Sequence, residues 1–303
     1  MEDRCMLPHL SDDLYLTDGG IETVLIFDEG LDLPLFAAFP LLEHEEGLAV
    51  LRRYYTPFVE LAAAHDAGFV AETPTWRASP RWAKELGYSN AQLDQLNRRA
   101  VELMAELRER YPRVLISGCV GPSDDGYNPT ALLTAEEAEA YHAVQIGSFA
   151  AADMVTAITM TYAAEAIGIV RAAARAGLPA VISFTVETDG RLPSGQALGD
   201  AIAEVDAAAW PAYYMVNCAH PTHFEAVLDG PWASRVRGVR ANASTLSHAE
   251  LDEAEELDAG DPADLAARYA TLPLTLNVVG GCCGTDVRHV AAIADELKGA
   301  RHV

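Results

Sequence analysis

Short apolar runs alternate along this chain with longer stretches whose apolar residues recur at helical spacing. The runs span residues 15–17, 69–71, 114–117, 154–158, 180–184, 213–216, 236–239 and 274–279. They are almost wholly apolar, which suits short strands buried on both faces of a parallel sheet. Between most of them lie helix-like stretches, including 91–110, 135–151, 163–176 and 198–209. Strand then helix, eight times over, predicts an α/β fold, a single (β/α)8 TIM barrel filling one domain over 1–303. The competing arrangement is an open doubly wound sheet. No G-x-G-x-x-G follows the first run and no Walker A pattern occurs, so the barrel is preferred. The helix after the seventh run has the weakest pattern. The acidic run 250–261 reads as a solvated helix and loop.

Composition narrows the partners. Half of the 303 residues are hydrophobic, ample for a large core. The formal net charge of -24 repels phosphate backbones, so no nucleic acid is expected. No run approaches the roughly 18 apolar residues of a membrane span. Met1-Glu2-Asp3-Arg4-Cys5 lacks the apolar stretch of a signal peptide. Five cysteines, an odd number, argue against a disulfide framework. They fit a cytoplasmic, reducing compartment with free thiolates. Small molecules are the expected partners, and homo-oligomerisation is left open.

The candidate chemistry sits at two strand ends. Gly280-Gly281-Cys282-Cys283-Gly284-Thr285 closes the eighth run, and Cys218 follows the sixth. In a barrel these strands are next-but-one neighbours, and their C-terminal ends form the active face. Three thiolates from two strand ends suit one Zn2+ with its fourth position open, as in catalytic sites. A lone cysteine is commonly core packing, and an adjacent pair can be a redox switch. The joint placement favours zinc. His220 offers an imidazole alternative two residues beyond Cys218. Cys119 reads as packing beside the barrel mouth, and Cys5 as incidental.

Asn217-Cys218 together with Gly280-Gly281-Cys282-Cys283-Gly284 resembles the signature of the zinc-dependent homocysteine S-methyltransferases. That family includes the betaine and S-methylmethionine enzymes and the homocysteine module of cobalamin-dependent methionine synthase. Asp18-Gly19-Gly20, Thr73-Pro74-Thr75-Trp76 and Gly118-Cys119-Val120-Gly121-Pro122 are similar to its first three strand-end motifs. The resemblance implies Zn2+ on Cys218, Cys282 and Cys283, with His220 and His223 left as loop residues or substrate contacts. It implies direct methyl transfer from a sulfonium or ammonium donor to the homocysteine thiolate, giving methionine.

Among substrate contacts, it places Asp18 near the amino group, Gly19 and Gly20 where the backbone can approach the substrate closely, and Asn217 in the site. The chain departs from the family at the fourth strand. The family commonly ends that strand in a glutamate that grips the homocysteine ammonium; here Ile158 or Thr159 takes its place. Thr159, Thr161 and Glu187 are the candidates to compensate. Glu165 reads as structural, at the start of the next helix. Trp76 and Tyr162 could face a donor cation through their rings. The loop 121–127 and Asn242 are further candidate contacts. S-methylmethionine is the first choice of donor, then S-adenosylmethionine. Betaine ranks last because the chain ends at Val303, soon after the cysteine pair. The alternatives are a different thiol acceptor, or a zinc hydrolase, which an all-cysteine ligand set disfavours.

Overall fold

The alternation closes on itself. The computed structural model describes residues 6–254 and 256–301, which leaves Cys5 outside the described residues. Eight parallel strands pair in chain order, and the first also pairs with the last. They are β1 Tyr15–Leu16, β2 Gly68–Glu72, β3 Val114–Val120, β4 Met154–Met160, β5 Ala180–Phe184, β6 Tyr213–Asn217, β7 Val236–Ala241 and β8 Val278–Gly281. Several strands outrun their apolar runs at the C-terminal end. The reason is that inward positions there turn polar, while the backbone ladder continues. β8 starts later than the apolar run 274–279, whose first residues form an irregular lead-in.

The outer ring is α1 Glu45–Ala64, α2 Asn90–Arg110, α3 Ala135–Ile146, α4 Ala163–Arg175, α5 Leu198–Ala208, α6 Pro262–Thr271 and α7 Val287–Arg301. Starts are encoded locally. Ser89 with Gln92, and Thr134 with Glu137, form reciprocal capping boxes at α2 and α3. After β6 there is a single turn, Pro221–Phe224, and the acidic run holds a short helix, His248–Asp252, before its loop. Among the described residues, no helix is long and apolar enough to cross a membrane. One apolar core lies between barrel and helices; a second, smaller one fills the barrel's lower interior.

Glu165, in the first turn of α4, is buried as expected of a structural residue. Its Oε1 accepts from the Ser123 N–H at 2.7 Å and from His142 Nε2 at 2.9 Å. It thereby ties α3, α4 and the loop after β3. Burial raises this carboxyl, but the contacts with His142 and Ser123 outweigh it and hold it below the usual range. Glu165→Ala should cost about 3 kcal/mol in chemical denaturation at neutral pH, because buried donors lose their acceptor. A depressed folded-state pKa stabilises above the ordinary carboxylate range and ceases to do so as pH falls through the folded value. The gap between wild type and variant should therefore shrink on acidification.

Candidate active site

The barrel interior is layered. Tyr15, Val70, Leu115, Met154, Val181, Tyr213 and Val278 close its floor. Side chains recur on one face every second residue. Two positions further on, the same face carries Glu72, Ser117, Thr156 and Ser183, and the next step up β6 brings Asn217, in register with Arg240 on β7. These groups pair among themselves: Ser117 with Thr156 at 2.7 Å, and Ser183 Oγ to Asn217 Oδ1 at 2.6 Å. Above this polar layer an open-mouthed cavity of about 590 Å³ occupies the C-terminal end of the barrel. Asp18, Gly19, Gly20, Trp76, Thr159 and all three cysteines of the sequence motif line it.

The Sγ atoms of Cys218, Cys282 and Cys283 lie within 4.8 Å of one another. A tetrahedral ion with bonds of about 2.3 Å would space its sulfurs by about 3.8 Å, so the cluster fits Zn2+. The surrounding donors suit thiolates as well. Tyr127 Oη lies 3.5 Å from Cys218 Sγ and 3.9 Å from Cys283 Sγ. Thr159 Oγ1 reaches Cys218 Sγ at 3.9 Å, and Asn217 Nδ2 reaches Cys282 Sγ at 3.9 Å. His220 is absent from the cluster. It caps the turn at Pro221 through Thr222, and burial lowers its pKa to about 4.

The expectation of free thiols needs a correction. Cys218 and Cys282 are joined as a disulfide, with Cα atoms 5.5 Å apart, and the buried Cys119 stands outside that bond. Sulfurs placed for one metal are close enough to bond each other, whatever the total number of cysteines. The metal-ready state is the reduced one.

Local backbone aims these sulfurs. Cys218 has φ 53° and Thr159 has φ 65°, both in the left-handed region. The Cys218 carbonyl accepts from Asn242 Nδ2 at 3.1 Å and His248 Nε2 at 2.6 Å. Asn242 is thus a brace for the ligand loop and does not line the cavity. Asn217 Oδ1 accepts from the Thr159 N–H at 2.9 Å, and its Nδ2 donates to Thr159 Oγ1 at 2.9 Å. The Cys282–Thr285 turn closes with Thr285 N–H on the Cys282 carbonyl, Gly284 taking φ 77°.

Asp18 lines the cavity but is already engaged. Its Oδ1 pairs with Arg240 Nη2 at 2.7 Å, and its Oδ2 accepts from Tyr54 Oη at 3.0 Å. Burial raises the Asp18 carboxyl, against the pull of Arg240 and Tyr54. Glu187 stands away from the cavity lining and contacts His248 Nδ1 at 3.2 Å. Tyr162 is buried, accepting from the Leu133 N–H at 2.9 Å. Trp76 lines the cavity, with the buried Arg77 guanidinium 4.3 Å from its ring.

Three charged lining residues escape the motif reading: Arg240, Glu72 and Glu22. Arg240 and Glu72 carry a usable signal, since a charge within or ending an apolar strand must face a partner or a site. Glu22 lies in the short helix after β1, where the sequence carries no such mark, whereas Tyr127 belongs to the expected contact loop 121–127.

A family model for homocysteine S-methyltransferase matches residues 15–297, so the chain belongs to that family. Two solved structures are similar in fold. The metallated form of the homocysteine methyltransferase MmuM from Escherichia coli is 21% identical, with TM-score 0.73 over 94% of this chain and 96% of that one. The oxidized form of the same protein is 23% identical, with TM-score 0.75 over 97% of this chain and 100% of that one. A comparison with curated protein sequences finds no match.

Removing the Arg240 guanidinium strands a buried carboxylate. Arg240→Met should cost about 4 kcal/mol in denaturant unfolding. Adding Asp18→Asn should recover part of that loss, because the stranded charge goes with it. Additive costs in the double variant would contradict direct coupling of the pair.

Proposed function

We propose that this member of the family methylates the homocysteine thiol at a Zn2+ held by Cys218, Cys282 and Cys283. A sulfonium is the proposed donor, S-methylmethionine first. The observation that carries the reading is the convergence of three sulfurs on one point of a cavity lined by the family's motif residues. Bound there, Zn2+ would supply a Lewis acid that favours the thiolate form of an incoming thiol near neutral pH.

The chain's own residues do the rest. Tyr127, Thr159 and Asn217 donate toward the cysteine sulfurs, fixing their positions and drawing off charge. Phe36, Tyr55, Trp76 and Ile158 line the cavity and exclude water. That matters because the reaction collapses opposite charges. The thiolate lone pair forms a new sulfur–carbon bond in line. The donor's carbon–sulfur bond breaks, its electron pair returns to the donor sulfur, and a neutral thioether leaves. A dry site favours this charge loss. No proton moves in that step, so no general base is required. Toward the solvent the opening is lined by three acids, Asp125, Glu256 and Asp258, against one guanidinium, Arg77, with Phe27, Phe36, Trp76 and Tyr127. An acidic, aromatic mouth supports a cationic donor.

Reduced protein should bind about one zinc per chain, measured by atomic absorption after dialysis. Cys218→Ala, Cys282→Ala and Cys283→Ala should each lose most of it. Full retention in any two would sink the ligand assignment. With S-methylmethionine and homocysteine, Asn217→Ala should lose about 10- to 100-fold in activity through misplaced ligands. If zinc-loaded protein methylates no thiol with S-methylmethionine, S-adenosylmethionine or betaine, the methyltransferase reading fails.

A further inference from the structure

Homocysteine carries an ammonium as well as a thiol, and an ammonium taken into this cavity needs an anionic acceptor. Three carboxylates line the cavity: Asp18, Glu22 and Glu72. Both oxygens of Asp18 are engaged, one by Arg240 and one by Tyr54. Glu22 is half-buried at the start of the short helix after β1. Glu72 differs from both. It is 3% exposed, and its Oε2 is buried with no hydrogen-bond partner. It projects from the end of β2 into the polar layer that underlies the sulfurs. Native proteins rarely leave such an oxygen unpaired, and a ligand's donor is one physical explanation.

We propose that Glu72 is the specificity-determining carboxylate, receiving the protonated amine of the thiol substrate in place of Asp18. The inference rests on the thiol-acceptor reading above. The electrostatics agree: burial pushes the Glu72 carboxyl up to about 7, against the lowering pull of Arg240 and the nearby Thr156 and Ser117 hydroxyls. Arg240 therefore does not fully compensate it, and an arriving ammonium would. Arg240 is committed elsewhere, its Nε on the Gly281 carbonyl and its Nη2 on Asp18 and the Gly19 carbonyl.

The test is equilibrium binding, without any methyl donor. Reduced, zinc-loaded protein is titrated calorimetrically with homocysteine and with 4-mercaptobutyrate, which keeps the thiol and carboxylate but lacks the amine. Wild type should bind homocysteine at least about tenfold more tightly, as expected for one charge-assisted contact. Glu72→Gln should erase that preference while leaving zinc content and 4-mercaptobutyrate affinity unchanged. Glu72→Asp, which keeps the charge, should restore part of it. A preference that survives in Glu72→Gln overturns the proposal. So does an equal loss for both thiols, which would mark a structural role, or a wild type that does not distinguish them. If neither thiol binds wild type, the thiol-acceptor reading falls and this proposal with it.

Discussion

A single guanidinium fastens the rim on which the site is built. Arg240, on β7, donates from Nε to the Gly281 carbonyl at the end of β8. Its Nη2 reaches Asp18 and the Gly19 carbonyl, just past β1. Three consecutive strand ends around the closed barrel are thus tied by one buried cation. Burying that charge would be prohibitive without a carboxylate and carbonyls positioned to receive it. Cys282 is the residue after Gly281, so its sulfur takes its position from this clasp. The glycines belong to the same arrangement. A Cβ at Gly280 would collide with Thr17, and one at Gly281 with Thr285.

The opposite side of the cluster is held by strain and its compensation. Left-handed backbone at a residue with a side chain costs about 1–2 kcal/mol. Cys218 and Thr159 both adopt it. The cost is offset locally: His248 and Asn242 grip the Cys218 carbonyl, and Asn217 grips Thr159 through both ends of its amide. The strained φ turns the chain inward at the end of β6, which places the Cys218 sulfur beside two others from β8. Strain of this kind persists where the surroundings over-determine it, and here those surroundings are the ligand loops.

The barrel and its cysteines were legible because each is a local signal. Apolar runs mark strands, and a motif at the end of a run marks the C-terminal face. The Asp18–Arg240 pair was not legible, because its members are 222 residues apart and only closure of the barrel joins them. Asp18 therefore read as a carboxylate near the substrate amino group, with no sign of its buried partner. Glu72 hid at the edge of the run 69–71, where the apolar pattern stops but the strand continues. Glu187 read as a site acid from its place after β5, yet its side chain lies against His248. The count of cysteines bears on disulfide frameworks and carries nothing about two sulfurs gathered for another purpose.

With Asp18 neutralised by Arg240, the charge balance of the cavity rests on Glu72 and Glu22. Burial pushes each of these carboxyls up to about 7. For the deeply buried Glu72, that rise corresponds to a penalty on the order of 3 kcal/mol for holding the ionised form. A cation entering the cavity relieves the penalty, because it supplies the missing partner. A neutral ligand of the same shape does not. Carboxyls held this way favour the entry of positive charge. The proposed reaction brings two such charges, an ammonium on the acceptor and a sulfonium on the donor. Only the sulfonium is consumed, so the acidic floor and the aromatic mouth face different demands. The floor must hold an ammonium that is still present in the product. The mouth has only to admit a cation and release the neutral thioether it becomes, which polarisable rings do without binding the product tightly.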